Sequence, residues 1–218
     1  MGLLVDRKIL FVHIPKTAGT LFVQNCKTAY SHGKCNFEGA HTPLYILHNK
    51  CKSIDLNPDD LDIVSIVRNP WTKMFSTWRY FSTINFNEFY SGDKNIDTDF
   101  NKWVKWIYTD FDRKKKDRGA HRFNMYKYHF TEQLNWFKDE EGNRLNVDNI
   151  LKNELLTEQM DQIAERYGWT HVCKNVNVTN NKKVADKITD VINSESIDLI
   201  GEAFKGDLEE FKYDYEGR

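Results

Sequence analysis

No run in this 218-residue chain approaches the ~20 consecutive apolar residues that a membrane-crossing helix needs. The opening Met1-Gly2-Leu3-Leu4-Val5-Asp6 is too short and too charged to read as a secretory leader. As written, the chain is expected to be soluble and cytoplasmic, or else a domain excised from a longer, anchored protein. It also lacks an excess of charge: 31 basic against 32 acidic residues leave a net −1. That excludes a general nucleic-acid binder and requires that cations for any anionic ligand be gathered locally. Cysteine is sparse, and Cys26, Cys35, Cys51 and Cys173 show no paired metal-ligand spacing. Free thiols in a reducing compartment are the default reading, with one bridge left open. Asn177-Val178-Thr179 fits a glycosylation acceptor but has no secretory signal to go with it. Internal repeats and low-complexity linkers are missing too, and a chain of this length is most simply one α/β domain able to bury its own core.

Two segments stand out against this background. Ile9, Leu10, Phe11, Val12 and Ile14 form the apolar, β-branched run of a buried parallel strand, expected over 8–14. It ends in Pro15-Lys16-Thr17-Ala18-Gly19-Thr20. From Thr20, a candidate N-cap, Phe22, Val23, Cys26 and Ala29 fall near helical spacing. Strand, tight loop and helix bring backbone N–H groups and the positive end of a helix dipole to one point, and Lys16 adds a full charge. Such a point attracts an anion. A plainer reading is an ordinary strand-to-helix turn with a solvated lysine. The triphosphate-binding spacing of Gly, four residues, Gly, Lys and Ser or Thr is absent, because here the lysine comes first.

The second segment is the strand-like run Leu61 to Val67, which ends in Arg68-Asn69-Pro70. The residue before a proline is held extended, and proline suits a helix start, so a helix is expected over 70–81. On it Lys73, Ser76 and Thr77 share a face, expected near Arg68. Arg68 with the Ser76 hydroxyl makes a receptor for a second phosphate. A metal-dependent phosphotransferase wants a carboxylate at such a strand end to hold Mg²⁺. Here Arg68 stands there, and Asp62 lies at the opposite end of the strand. Group transfer without a metal, with protein cations in its place, is the inference.

Both segments resemble motifs of the sulfotransferases that use 3′-phosphoadenosine-5′-phosphosulfate (PAPS), in the form seen in the heparan-sulfate 2-O-sulfotransferase-like branch. His13 to Thr20 resembles the 5′-phosphosulfate loop. Val67, Arg68, Asn69, Pro70 and Ser76 keep the register of the 3′-phosphate motif, while Lys73 stands where the family usually has Arg. Weaker likenesses follow in order: His41-Thr42-Pro43-Leu44, the segment 97–103, Asn149 to Leu155, and Asp207 to Tyr213. The resemblance implies a P-loop nucleotide-binding-like sulfotransferase fold and PAPS as donor, with no metal. It implies an acceptor hydroxyl on a glycan or small molecule.

On this reading Lys16 neutralises the leaving phosphate oxygen, and Thr17, Ala18, Gly19 and Thr20 line the donor site with hydroxyl and backbone donors. Arg68 and Ser76 hold the 3′-phosphate. His41 is the first choice of base, since its place resembles that of the family's catalytic histidine and imidazole titrates near working pH. Its rival reading is a surface or helix-capping histidine, and Glu38, His48 and Glu154 are alternative bases. His13 is expected to orient the loop, and Lys182 and Lys183 to close over the nucleotide. A nucleotide-kinase-like phosphotransferase and a non-catalytic nucleotide or glycan binder remain as other classes. The acceptor and the oligomeric state are not readable.

Elsewhere, aromatics crowd between Trp71 and Phe137, either as core or as a carbohydrate-stacking surface. The segment Asp110 to Arg122, with Arg113, Lys114, Lys115, Lys116, Arg118 and Arg122, is a charge run, read as a solvated loop or as an acceptor surface. Apolar spacing predicts helices through Phe100–Ile107, through Met160–Tyr167 after the candidate N-cap Thr157, and through Ile197–Phe211. With strands at 8–14, 62–67 and 147–151, these imply a three-layer α/β fold, a parallel sheet with helices on both faces.

Overall fold

The computed structural model describes residues 3–6, 8–29, 41–83, 98–110, 128–169 and 187–215. Glu38, Cys35, Cys173, Asn177, Lys182, Lys183 and the basic run 113–122 lie outside them. The chain divides into two compact units, Met1–Arg68 with Gln133–Val178 and Asn69–Glu132 with Thr179–Arg218.

The first unit is mixed α/β, built on a four-stranded sheet in the order β1 (Leu3–Val5), β2 (Ile9–Val12), β3 (Asp62–Val67), β4 (Asn149–Lys152). β2, β3 and β4 run parallel, with Val12 opposite Ser65 and Val67 opposite Lys152. The expected all-parallel sheet is corrected by β1, which pairs antiparallel to β2. A three-residue strand is too short to show a period, and its tight return through Asp6, in left-handed backbone, allows the antiparallel pairing. The expected strand 8–14 shortens to four residues because the chain turns into the loop after Val12.

Among the described residues the α-helices of this unit are α1 (Gly19–Ala29), α2 (Leu44–Lys52) and, after β4, Leu156–Tyr167. α1 starts at Gly19, so Thr20 lies inside the first turn instead of capping it. Likewise the helix after β4 starts at Leu156 with no side-chain cap, which places Thr157 within it. Gly168, at φ 67°, ends that helix, its cap N–H groups returning to Ala164 and Glu165. The core is apolar strand residues against helix faces: Phe11 stacks on Phe22 at 4.3 Å, and Leu151, Met160 and Ile163 are buried with them.

The second unit is helical. α3 (Pro70–Thr83) is followed by α4 (Phe100–Lys105), which passes into a π-helical turn at Trp106–Asp110. Taking the first-unit helix after β4 as α5, the last two are α6 (Ser194–Ala203) and α7 (Lys205–Phe211). The single helix predicted through 197–211 is therefore broken at Phe204. The break has a local cause: the Gly206 N–H donates to Glu132 Oε1 at 2.6 Å, and a Cβ at 206 would meet that same oxygen at 2.6 Å. Trp71, Phe75, Trp78, Phe81, Phe100, Trp103, Phe130 and Phe204 are buried together. Among the described residues the aromatic cluster is thus core, and the stacking-surface reading fails for these rings.

Candidate functional site

β2 and β3 are parallel neighbours, so their carboxyl ends deliver two loops to one place. The Ser65 hydroxyl donates to Val12 O at 2.8 Å and pins the two ends in register. Beyond Val12 the loop through Lys16 has two non-glycine residues in left-handed backbone, Lys16 at φ 65° and Ala18 at φ 69°. Such a conformation costs a residue with a Cβ roughly 1–2 kcal/mol, and strain of this kind gathers at ligand sites. Inside the loop the buried Thr17 hydroxyl donates to Ile14 O at 3.0 Å, and Asn153, just past β4, donates to Thr17 O at 3.3 Å. The expectation that the Thr17 hydroxyl faces a ligand is thereby corrected, since that hydroxyl closes the loop. Thr20 is exposed in the first turn of α1.

Gly19 has a different job from the one the motif suggests. It enters α1, and a Cβ built there would lie 2.2 Å from Cδ2 of the His13 ring. The His13 ring therefore packs into the space that a side chain at 19 would fill.

Arg68 follows β3 directly. Its Nη1 donates to Lys16 O at 3.2 Å, so the two motifs meet within the first unit. The pKa of Lys16 is lowered to about 8, first by burial and then by the Arg68 charge. Two like charges held in a partly dry place make a receptor for an anion.

His41 precedes α2, also in left-handed backbone at φ 45°. Its Nδ1 lies 3.1 Å from His13 O. A carbonyl can only accept, so Nδ1 carries the proton and the basic lone pair is on Nε2. The ring meets His13 at 4.8 Å and Trp136 edge-on at 6.4 Å between centroids. Burial lowers its pKa to about 4, against a smaller opposing effect of the bond to His13; the nearby Lys16 charge adds to the lowering. The expected titration near neutrality is therefore corrected downward. His48 sits on α2 with Nε2 buried and without a hydrogen-bond partner, and Glu154 is exposed in the turn after β4.

Lys73, Ser76 and Thr77 do share one side of α3, as expected, but that side is largely turned inward. Lys73 is fully buried in the second unit, its Nζ donating to His129 O at 2.7 Å and lying 4.9 Å from the centre of the Phe204 ring. Thr77 is also buried, with its hydroxyl on Lys73 O at 2.8 Å. Ser76 is half-buried on α3. Asn69 and Pro70 are structural: Asn69 Oδ1 accepts from Trp71 N at 3.1 Å and caps α3, and Pro70 is its first residue.

Sequence reasoning missed Gln133. It is fully buried, with Oε1 accepting from Arg68 N and Nε2 donating to Arg68 O, both at 2.8 Å. A lone glutamine 65 positions from its partner carries no local signal.

A family model described as the sulfotransferase family matches residues 5–214. No curated protein and no solved structure is significantly similar to the chain.

Proposed function

The chain belongs to the sulfotransferase family, and from that premise we propose that it moves the sulfonyl group of PAPS to an acceptor hydroxyl by in-line transfer without a metal. The observation that carries this reading is the meeting of Arg68 with the Lys16 loop at the carboxyl ends of adjacent parallel strands. We assign residues 1–218 to a single sulfotransferase domain with a P-loop-like, three-layer fold, a reading supported by the family match over residues 5–214.

In the proposed reaction the acceptor oxygen attacks sulfur, the bond from sulfur to the 5′-phosphate oxygen breaks, and the acceptor proton passes to His41 Nε2. The products are a sulfate ester and adenosine 3′,5′-bisphosphate. Lys16 offsets the charge that builds on the departing phosphate, an interaction strongest as the bond breaks. Arg68 receives the 3′-phosphate. Backbone N–H groups from Thr17 to Thr20 surround the 5′ end, since a helix leaves its first N–H groups without intrahelical partners. The acceptor is a carbohydrate hydroxyl, a reading supported by the likeness of Pro15–Thr20 and of the His41 segment to the 2-O-sulfotransferase-like branch.

Thermal melts with adenosine 3′,5′-bisphosphate, AMP and magnesium-ATP test the donor. A ligand at 100 times its dissociation constant stabilises the native state by ~2.7 kcal/mol, and the bisphosphate should do so at far lower concentration than AMP. Preferential stabilisation by magnesium-ATP would instead identify a phosphotransferase.

A further inference from the structure

Sheet pairing on the β4 side of β3 reaches Val67, opposite Lys152, and Arg68 lies beyond it. At Arg68 the Gln133 amide takes over, giving the residue one accepted and one donated bond at 2.8 Å each. In the parallel pairing of β3 a residue likewise donates one bond and accepts one, there to two residues of the neighbouring strand, and here both ends are met by one amide. The side chain thus supplies, for one further residue, the partner that a strand would have supplied. Fixing the Arg68 backbone fixes the direction in which its side chain leaves the chain, and the guanidinium lands on Lys16 O at 3.2 Å. Gln133 is fully buried and starts the 3-10 turn Gln133–Phe137.

We propose that Gln133 is a positioning residue for the transfer reaction: its amide extends the pairing of β3 by one residue and so aims Arg68 at the Lys16 loop. This rests on reading Arg68 as an anion receptor. A glutamine that merely anchors its own turn would affect stability alone, whereas a positioning residue acts through Arg68 and has no further effect once that side chain is gone.

The experiment is a double-mutant cycle of Gln133→Met and Arg68→Ala with two readouts. The first is the titration of Lys16 followed by NMR of methylated lysines, its signal assigned by loss in Lys16→Arg. Arg68→Ala should raise the Lys16 pKa, because the guanidinium charge helps to lower it. Gln133→Met should raise it toward the same value, and the double variant should go no further. The second readout is calorimetric affinity for adenosine 3′,5′-bisphosphate, expected to fall about tenfold in Gln133→Met and not to change between Arg68→Ala and the double variant. An unchanged Lys16 titration in Gln133→Met, or effects that add in full, overturns the inference. Failure of the unmutated protein to bind the bisphosphate overturns the proposed donor, and the Lys16 titration then decides on Gln133 by itself. Should Gln133→Met not fold, Gln133→Asn, whose amide is one methylene too short to span both groups, gives the same readouts.

Discussion

The two ends of the sheet in the first unit treat charge in opposite ways. At the amino end, Asp62 opens β3 and accepts from the Tyr167 hydroxyl and from Asn149 Nδ2 at 2.6 Å, while Arg166 Nη2 approaches it to 3.2 Å. Arg166 also donates to Asn149 Oδ1 at 2.8 Å, and Asp148 accepts from Ile63 N at 2.8 Å. Opposite charges and donors close on one another there, and burial followed by the Asp62 bond holds the Tyr167 phenol protonated well above its usual range. At the carboxyl end, Lys16 and Arg68 carry the same sign and lower each other's comfort, with Lys16 brought to about 8. One end is arranged for the folded state. The other gathers two like charges beside one loop, and groups whose pKa values are displaced in this way cluster at functional sites.

The largest expected effect is at the carboxyl end. His41→Ala should lower the transfer rate by ~10²–10⁴-fold while leaving bisphosphate affinity nearly unchanged. Because only neutral imidazole accepts a proton and the pKa is about 4, the rate of the unmutated protein should hold from neutrality down toward pH 4 and fall only below it. An acid limb centred near pH 6.5 in kcat/KM for PAPS, which reports the free protein, would show that His41 is not the group titrating. Bound anion would raise this pKa by offsetting the Lys16 charge, so the limb in the complex should lie above that of the free protein.

Next comes Lys16. Lys16→Met should cost roughly 10²–10³-fold in single-turnover rate yet leave the melting temperature of the free protein equal or higher, since it removes a desolvated charge beside Arg68. Arg68→Ala should weaken bisphosphate binding by ~1.5–3 kcal/mol in calorimetry. Asp62→Ala reverses the pattern: unfolding in urea should show a loss of ~1–3 kcal/mol, with bisphosphate affinity intact. If Asp62→Ala altered affinity, or Lys16→Met destabilised the free protein, the contrast between the two ends would collapse.

The smallest effect is a proton. With Lys16 at about 8 in the free protein, an anion that restores its charge should bring in about half a proton on binding at pH 8. Calorimetry in buffers of different ionisation enthalpy measures it. The same displacement works on folding: unfolded lysine titrates at 10.5 and folded Lys16 at about 8. The unfolded chain therefore binds more protons between those values, so the Lys16 contribution to stability should rise with pH across that window.

What was legible in the sequence was whatever repeats locally. The runs Ile9–Val12 and Asp62–Val67 announced strands, and Arg68-Asn69-Pro70 announced the stop and the helix after it. β1 was hidden because three residues show no period, and the break at Phe204 because it depends on Glu132, remote in sequence. At the site, the meeting of the two loops followed from the parallel order of β2 and β3. Helical spacing put Lys73 beside Ser76, but spacing does not say which side of α3 faces the interior, and Lys73 went inward to the His129 carbonyl. Gln133 was invisible for the same reason: its role exists only where distant segments touch.

The contact between Gly19 and His13 has a consequence for how such a chain could diverge. Any side chain at position 19 would collide with the imidazole, whose Cδ2 lies 2.2 Å from where its first carbon must sit. Substitution at 19 therefore requires the imidazole to turn away or to be traded for something smaller, and either change disturbs the ring packed against His41 at 4.8 Å. The two positions should be inherited as a pair, with a glycine wherever the histidine persists. Drift at position 19 would be easiest once position 13 had changed.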